Sequence, residues 1–280
     1  MWILPKPLLD EALADIANVI AADTEAKVLG DADATALNKL YRSYDNNHGT
    51  ITEAEDNAFS LSKLKALYNL YDKTQQGRLL SYIRTELMSS VDYCPMCGIS
   101  PPSQLDHQMP REDYKSLSVC RLNLVPTCGV CNNKKRKGEP SDFIHAYYDH
   151  ELRGLPFFEI EIHSSPVTHR MSWKFHINRH IIGNDTLANK IEHQIGVIKL
   201  FRRLYRETNI LLSDILSSTI TSQAQLDIIL SYEYGKYERY GMNDWRRVFL
   251  KSLIASPHFT IAEANEYALR IKPINGGVNA

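Results

Sequence analysis

A membrane-spanning helix is excluded first, because no run of about 18 apolar residues occurs anywhere in the 280 residues. The opening Met1-Trp-Ile-Leu-Pro-Lys-Pro lacks a basic stretch leading into a sustained apolar segment, so no signal peptide is expected. Charge of one sign is not in excess either. Thirty-two Lys and Arg stand against 33 Asp and Glu, a formal net charge of −1. Residues 1–90 hold nine basic against thirteen acidic side chains, and residues 91–140 hold seven against five. A protein that grips nucleic acid unaided usually carries a broad basic face. Here the positive charge is local, which argues for a second component that helps to recruit any such substrate. Internal repeats and low-complexity tracts are missing. Cysteine is scarce at five. The 44 % hydrophobic content fits a globular chain of one to three domains with a sizeable core.

Four of the five cysteines are not scattered. Cys94/Cys97 and Cys128/Cys131 form two Cys-x-x-Cys pairs around residues 98–127. A structural zinc site wants four soft ligands in tetrahedral array, commonly delivered as two such knuckles. A redox Cys-x-x-Cys needs only one pair. The enclosed segment is longer than in an ordinary zinc ribbon and must have structure of its own. Cys120 is left over and is expected to pack as a small buried apolar group. Thiolate pairs in a chain without a secretory signal fit the reducing cytoplasm.

Between the knuckles, Gln104-Leu105-Asp106-His107 reads as a short strand running into a turn at Met109-Pro110. Arg121-Leu-Asn123-Leu-Val125 is a second apolar segment. Asn132 follows Cys131, where a knuckle usually turns into a helix, and Lys134, Lys135, Arg136 and Lys137 come next. Phosphodiester hydrolysis needs an activated water, a cation on the leaving oxygen and charge compensation on the phosphoryl oxygens. A carboxylate and an amide oxygen are hard ligands that suit Mg²⁺. A neutral imidazole is a natural base near pH 7, and a Lys/Arg run supplies phosphate contacts.

With those residues in place, the segment from about Tyr93 to Gly138 resembles an HNH nuclease motif, the ββα-metal or His-Me finger fold, in its variant held by a four-cysteine zinc clamp. The resemblance implies that His107 is the general base, that Asn123 orients the imidazole and braces the loop between the strands, and that Lys135 fills the family's usual basic position. It implies a catalytic Mg²⁺ or Mn²⁺ on Asp106 and Asn132, with Asn133 the alternative ligand if the register slips by one. It also implies a structural Zn²⁺ on Cys94, Cys97, Cys128 and Cys131. Lys134, Arg136 and Lys137 would contact the nucleic acid. More loosely, the layout is similar to nuclease subunits of bacterial anti-phage systems that work beside an SMC- or ABC-like ATPase, such as the Septu type. The expected activity is hydrolysis of DNA, with RNA not excluded; one metal makes one cut, so nicking, or paired nicking by a homodimer, would follow. The alternative is a zinc-dependent nucleic-acid-binding or scaffold module without catalysis.

The flanks read as packing. Leu9, Leu13, Ile16 and Ile20 recur at three and four, as do Leu37, Leu40, Tyr41 and Tyr44. Asn47-His48-Gly49 reads as a turn, and Thr52 with Glu55 as a capping box that opens a helix continued by Leu61, Leu64, Tyr68 and Tyr71. Leu80, Ile83 and Leu87 mark a helix that leads to Cys94. Beyond Pro140, Ser141 is a candidate cap for a new helix. Asp149-His150 repeats the Asp-His step but lacks metal-ligand spacing after it. Phe158-Ile160-Ile162 and Trp173-Phe175-Ile177 alternate with polar residues, which predicts a hairpin near 157–178 with His163 and His176 facing each other on its polar side. Leu187, Ile191, Ile195, Ile198, Phe201 and Tyr205 predict one long helix, beside a basic stripe of Lys199, Arg202, Arg203 and Arg206. Later helices are expected over 226–240, 245–254 and 261–271, with a frayed tail from Asn275. The expected class is α+β, mostly α, with a helical N-terminal region (1–90), a zinc-bound nuclease module (91–140) and a mostly helical C-terminal region (141–280).

Overall fold

The computed structural model describes residues 3–24, 27–135 and 139–271; Arg136, Lys137 and the tail from Asn275 lie outside them. Helix accounts for 55 % of the chain, against two small antiparallel hairpins, so the class is α+β with α dominant. No helix among the described residues is long and apolar enough to cross a membrane. The chain divides into two compact units, Met1–Arg153 and Gly154–Ala280. The division falls at 153/154, where the sequence reading put boundaries at 90/91 and 140/141. A shared core explains the difference on the N-terminal side: one buried cluster takes in Ile16, Leu37, Tyr41, Leu67 and Ile83 together with Leu105, Leu122 and Val125 of the cysteine-bracketed module.

In the first unit, α1 (Leu9–Ala22) and α2 (Asp31–Asn46) pack side by side. Helix α2 buries Leu37, Leu40, Tyr41 and Tyr44, the periodic face of the sequence. Helix α1 is turned slightly from expectation, so that Ala12, Ile16 and Val19 lie deepest while Leu9, Leu13 and Ile20 are partly buried. The turn after α2 holds Gly49 at φ +85°, and a Cβ there would come 2.5 Å from the His145 ring.

The capping box forms: the Thr52 hydroxyl accepts from the Glu55 amide, and Glu55 accepts from the Thr52 amide. The helix that it opens, α3 (Glu53–Asp56), lasts a single turn, and α4 (Leu61–Leu70) starts afresh. This corrects the expected continuous helix. The buried Asp56 carboxylate accepts from the Ser116 amide at 2.8 Å and from its hydroxyl, an anchor 60 residues away. Leu61 is consequently exposed, and Leu64, Leu67 and Leu70 form the inner face. A 3₁₀ turn over Tyr71–Thr74 and α5 (Ser81–Ser89) follow, then β1 (Gln104–His107), β2 (Leu124–Thr127) and α6 (Gly129–Lys135). Strands β1 and β2 pair antiparallel, with Asp106 opposite Val125 and His107 opposite Leu124. Past α6, the expected helix at Ser141 is only a 3₁₀ turn, Pro140–Asp142; Phe143 to Tyr148 are buried without helix or strand.

The second unit opens on the expected hairpin, β3 (Phe158–Ser164) with β4 (Met171–Ile177), which buries Phe158, Ile160, Ile162, Trp173 and Phe175. Its histidines do not meet. His176 lies opposite Glu159 and contacts its carboxylate at 2.8 Å, while His163 lies opposite Ser172. After α7 (Arg179–Ile182), the single long helix of the sequence reading is two: α8 (Asp185–Ile198) and α9 (Leu200–Ile215) break at Lys199, φ +51°. Helices α10 (Gln223–Lys236), α11 (Trp245–Ala255) and α12 (Ile261–Ile271) complete it, with Asp244 capping α11 through the Arg246 and Arg247 amides.

Candidate active site

The two knuckles bring all four sulfur atoms within 4.8 Å of one another, every one on a buried residue. Gly98 turns the first knuckle at φ +64° and donates its amide to the Cys94 carbonyl at 2.8 Å. The Asn132 amide closes the second onto the Cys128 carbonyl as α6 begins. None of the four is in a disulfide. A Zn–S bond of about 2.3 Å implies a tetrahedron edge of about 3.8 Å, and Cys97 Sγ to Cys128 Sγ is 3.9 Å. Sulfur–sulfur hydrogen bonds push the Cys94 and Cys131 thiols up and pull Cys128 down. Four thiolates cannot share this space without a cation. The donor set and its spacing fit a metal such as zinc.

At the end of the β1–β2 hairpin, a cavity of about 220 Å³ is lined by Asp106, His107, Asn132 and Lys135, together with Tyr71, Leu105, Pro110, Arg111 and Glu112. Alternation along β1 sends its last two side chains to different faces. Asp106 turns towards α6, where its carboxylate meets Lys135 Nζ at 2.7 Å. Burial pushes the Asp106 carboxyl up, and the Lys135 charge opposes that push. Lys135 is itself buried and spends its other donors on the His107 carbonyl and Gln108 Oε1, both at 3.2 Å. It is therefore an internal ion-pair partner, whereas Lys134 is exposed.

His107 turns the other way. Its Nε2 is 2.9 Å from the Ser118 carbonyl, which only an N–H can satisfy, so Nδ1 carries the lone pair. The Tyr71 ring lies 4.6 Å from the imidazole, centroid to centroid. Burial, then the Arg111 and Lys135 charges, lower the His107 pKa to about 4, which keeps the ring neutral at pH 7. Asn132 is half-buried and donates Nδ2 to Gln104 Oε1 at 2.7 Å; Asn133 is exposed and does not line the cavity. Cys120 is fully buried.

Asn123 stitches the loop between the strands. Its Oδ1 accepts from the Met109 amide at 2.8 Å and from Tyr44 Oη at 3.1 Å, and its Nδ2 donates to the Met109 and Leu117 carbonyls. Leu117 precedes Ser118, whose carbonyl holds the imidazole, so the influence of Asn123 on His107 runs through the loop. Tyr44 is held in turn by His145. The Tyr147 amide donates to His145 Nδ1, leaving Nε2 to donate to Tyr44 Oη at 3.0 Å. Next to Asn123, Arg121 is buried against acids of two helices. It meets Asp15 through Nε (2.7 Å) and Nη2 (2.9 Å), and Glu86 and Glu11 through Nη1. Asp149 accepts from the His145 amide, and the His150 imidazole bonds to the Tyr148 carbonyl. Sequence reasoning missed Tyr71, Arg111, Tyr44 and His145. The two tyrosines fell on apolar helical faces, and nothing local ties them to the motif; Arg111, directly after the Met109-Pro110 turn, was the one legible signal.

Among known proteins, a stretch of 98 residues is 37 % identical to protein ea31 of Escherichia phage lambda. The match covers 32 % of this chain and 32 % of that protein, about a third of each. No family model and no solved structure matches the chain.

Proposed function

We propose that this protein is an HNH-type, metal-dependent endonuclease that hydrolyses DNA phosphodiester bonds, nicking one strand per event. One observation carries the reading: Asp106 and His107 of β1, Asn132 and Lys135 of α6 line a single cavity beside a four-cysteine cluster. His107 is neutral and its Nδ1 is the basic nitrogen, so it can take the proton of a water attacking phosphorus. The P–O3′ bond breaks, and the 3′ oxygen leaves with a proton from solvent. Asp106 and Asn132 would hold Mg²⁺ or Mn²⁺, which when bound supplies charge compensation at the leaving oxygen. Asp106 must first exchange Lys135 for the metal. Asn123 keeps the Met109–Ser118 loop, and with it the imidazole, in register. The near-zero net charge favours a partner that recruits the DNA, such as an ATPase of an anti-phage system, and the clustered cysteines suit a cytoplasmic setting.

The Asp106–Lys135 pair also favours a second reading, a zinc-dependent binding or scaffold module in which the carboxylate never ligates a metal. Supercoiled plasmid separates them. The wild type should nick it with Mg²⁺ or Mn²⁺, and His107→Ala should lose about 10²–10⁴-fold of the rate, the share of a general base. Plasmid bound but left intact by both proteins would refute the nuclease.

A further inference from the structure

Arg111 leaves the strand-end loop directly after Pro110, and its guanidinium is gripped by residues of the N-terminal helical region. Its Cζ lies 4.1 Å from the Tyr68 ring centroid and 4.9 Å from that of Tyr71. Nη2 donates to Tyr68 Oη at 3.1 Å, and Tyr68 Oη donates to Glu112 Oε1 at 2.8 Å. Tyr71 is pinned by its hydroxyl to the Leu105 carbonyl at 2.8 Å, and its ring also packs on His107. Arg111 Nη1 is different: it is buried and makes no hydrogen bond among the described residues. Its nearest carboxylate oxygen, Asp72 Oδ1, is 3.8 Å away, outside hydrogen-bond reach, on a largely exposed side chain.

Buried N–H groups are almost always paired, and one that is left over calls for an explanation. Here the atom belongs to a side chain that lines the same cavity as Asp106, His107 and Asn132. The other cation at that cavity, Lys135, already spends its donors on Asp106, His107 and Gln108. Two aromatic rings hold the guanidinium in place, so little side-chain freedom is lost when an anion arrives. An oxyanion with several acceptor oxygens, seated so that a water can stand between it and the lone pair of His107 Nδ1, matches what is on offer.

We infer that Arg111 is a substrate contact: its Nη1 donates to a non-bridging oxygen of the nucleic-acid phosphodiester presented to His107, and Tyr68 and Tyr71 are the positioning residues that aim it. This rests on the reading of the cavity as a phosphodiester site and goes beyond it. The recognition of substrate then depends on α4 and its 3₁₀ extension, outside the cysteine-bracketed module.

The test measures binding and cutting separately on the full chain. A fluorescein-labelled 12-mer DNA duplex is titrated without divalent metal against the wild type, Arg111→Gln, Arg111→Lys and Tyr68→Phe. The inference expects Arg111→Gln to weaken binding about ten- to hundredfold, as for a lost charge-assisted hydrogen bond. It also expects a salt slope smaller by about one and partial recovery in Arg111→Lys. Tyr68→Phe should fall between wild type and Arg111→Gln. In the wild type, the duplex should protect Arg111 from phenylglyoxal, as read by peptide mass spectrometry, which needs no variant to fold. Binding by Arg111→Gln equal to wild type, no protection of Arg111, or no binding by the wild type would each overturn the inference. Plasmid cutting in parallel tells the two readings apart. A wild type that cuts with Arg111 dispensable removes only the contact. Arg111-dependent binding with no cutting in Mg²⁺ or Mn²⁺ removes only the hydrolysis.

Discussion

Replacing Lys135 by Met keeps the aliphatic stem and deletes the ammonium that three acceptors share, two of them on buried side chains. In the wild type, Nζ meets Asp106 Oδ2 at 2.7 Å and the His107 carbonyl and Gln108 Oε1 at 3.2 Å. Removing one partner of a buried pair costs about 3–5 kcal/mol, because the surviving charge is left without compensation. That is a large share of the roughly 5–15 kcal/mol that holds a typical domain together. The carboxylate has two escapes. One is protonation: burial already raises the Asp106 pKa, and the lysine charge that opposed the rise is gone. A carboxyl whose folded pKa lies above its unfolded value of about 3.9 binds protons more tightly in the native state, so its stability contribution grows as pH falls. The deficit of Lys135→Met should therefore be greatest near pH 8 and smaller near pH 5. The other escape is a metal. If Asp106 can ligate Mg²⁺, saturating metal should restore about 2.7 kcal/mol at a hundred times its Kd, and more to the variant than to the wild type, where lysine competes. Trp173 and Trp245 lie in the second unit and Trp2 is about a hundred positions from the module along the chain, so the assay is hydrogen–deuterium exchange of peptides spanning residues 104–127 in graded urea. A variant as stable as wild type at pH 8 would refute the argument from buried charge. Equal response of both proteins to Mg²⁺ would refute competition between lysine and metal for Asp106.

Two further perturbations probe one unit each. Cys94→Ser removes one sulfur of the four; structural zinc contributes on the order of 10 kcal/mol to small folds, so native mass spectrometry should show about one zinc lost and residues 104–127 should lose exchange protection, with Trp173 and Trp245 fluorescence unchanged. In the second unit, burial acts to raise the Glu263 carboxyl, but hydrogen bonds from the Thr260 hydroxyl, His169 and the Thr260 amide outweigh it and bring it to about 2. A depressed carboxyl stabilises above its unfolded pKa, so up to about 3 kcal/mol should be lost as pH falls from about 4.5 to 2; tryptophan fluorescence in urea should show this loss, and Glu263→Gln should flatten it.

What could be read from the sequence was what depends on neighbours a few positions away. The cysteine knuckles, the capping box at Thr52/Glu55, the α2 stripe and the alternation of β3 and β4 are all set by spacing. What could not be read depends on contacts between distant positions. The break between α3 and α4 follows from Asp56 reaching Ser116, and α8 ends where Lys199 adopts a left-handed backbone that no periodicity announces. The Lys134–Lys137 run has the composition of a solvated helix face, yet Lys135 is buried because Asp106 lies one strand away. The brace behind Asn123 joins residues 44, 123 and 145, which only the folded chain brings together.

Arg121 bears on how the cysteine-bracketed module can be handled as a reagent. Its guanidinium is met by acids from the first and fifth helices. A fragment trimmed to the cysteine-bracketed stretch would strip all three carboxylates from it, two residues from Asn123. The shortest piece that keeps its shape has to begin ahead of Glu11, and grafting the motif alone onto another scaffold would transplant an orphaned positive charge along with it.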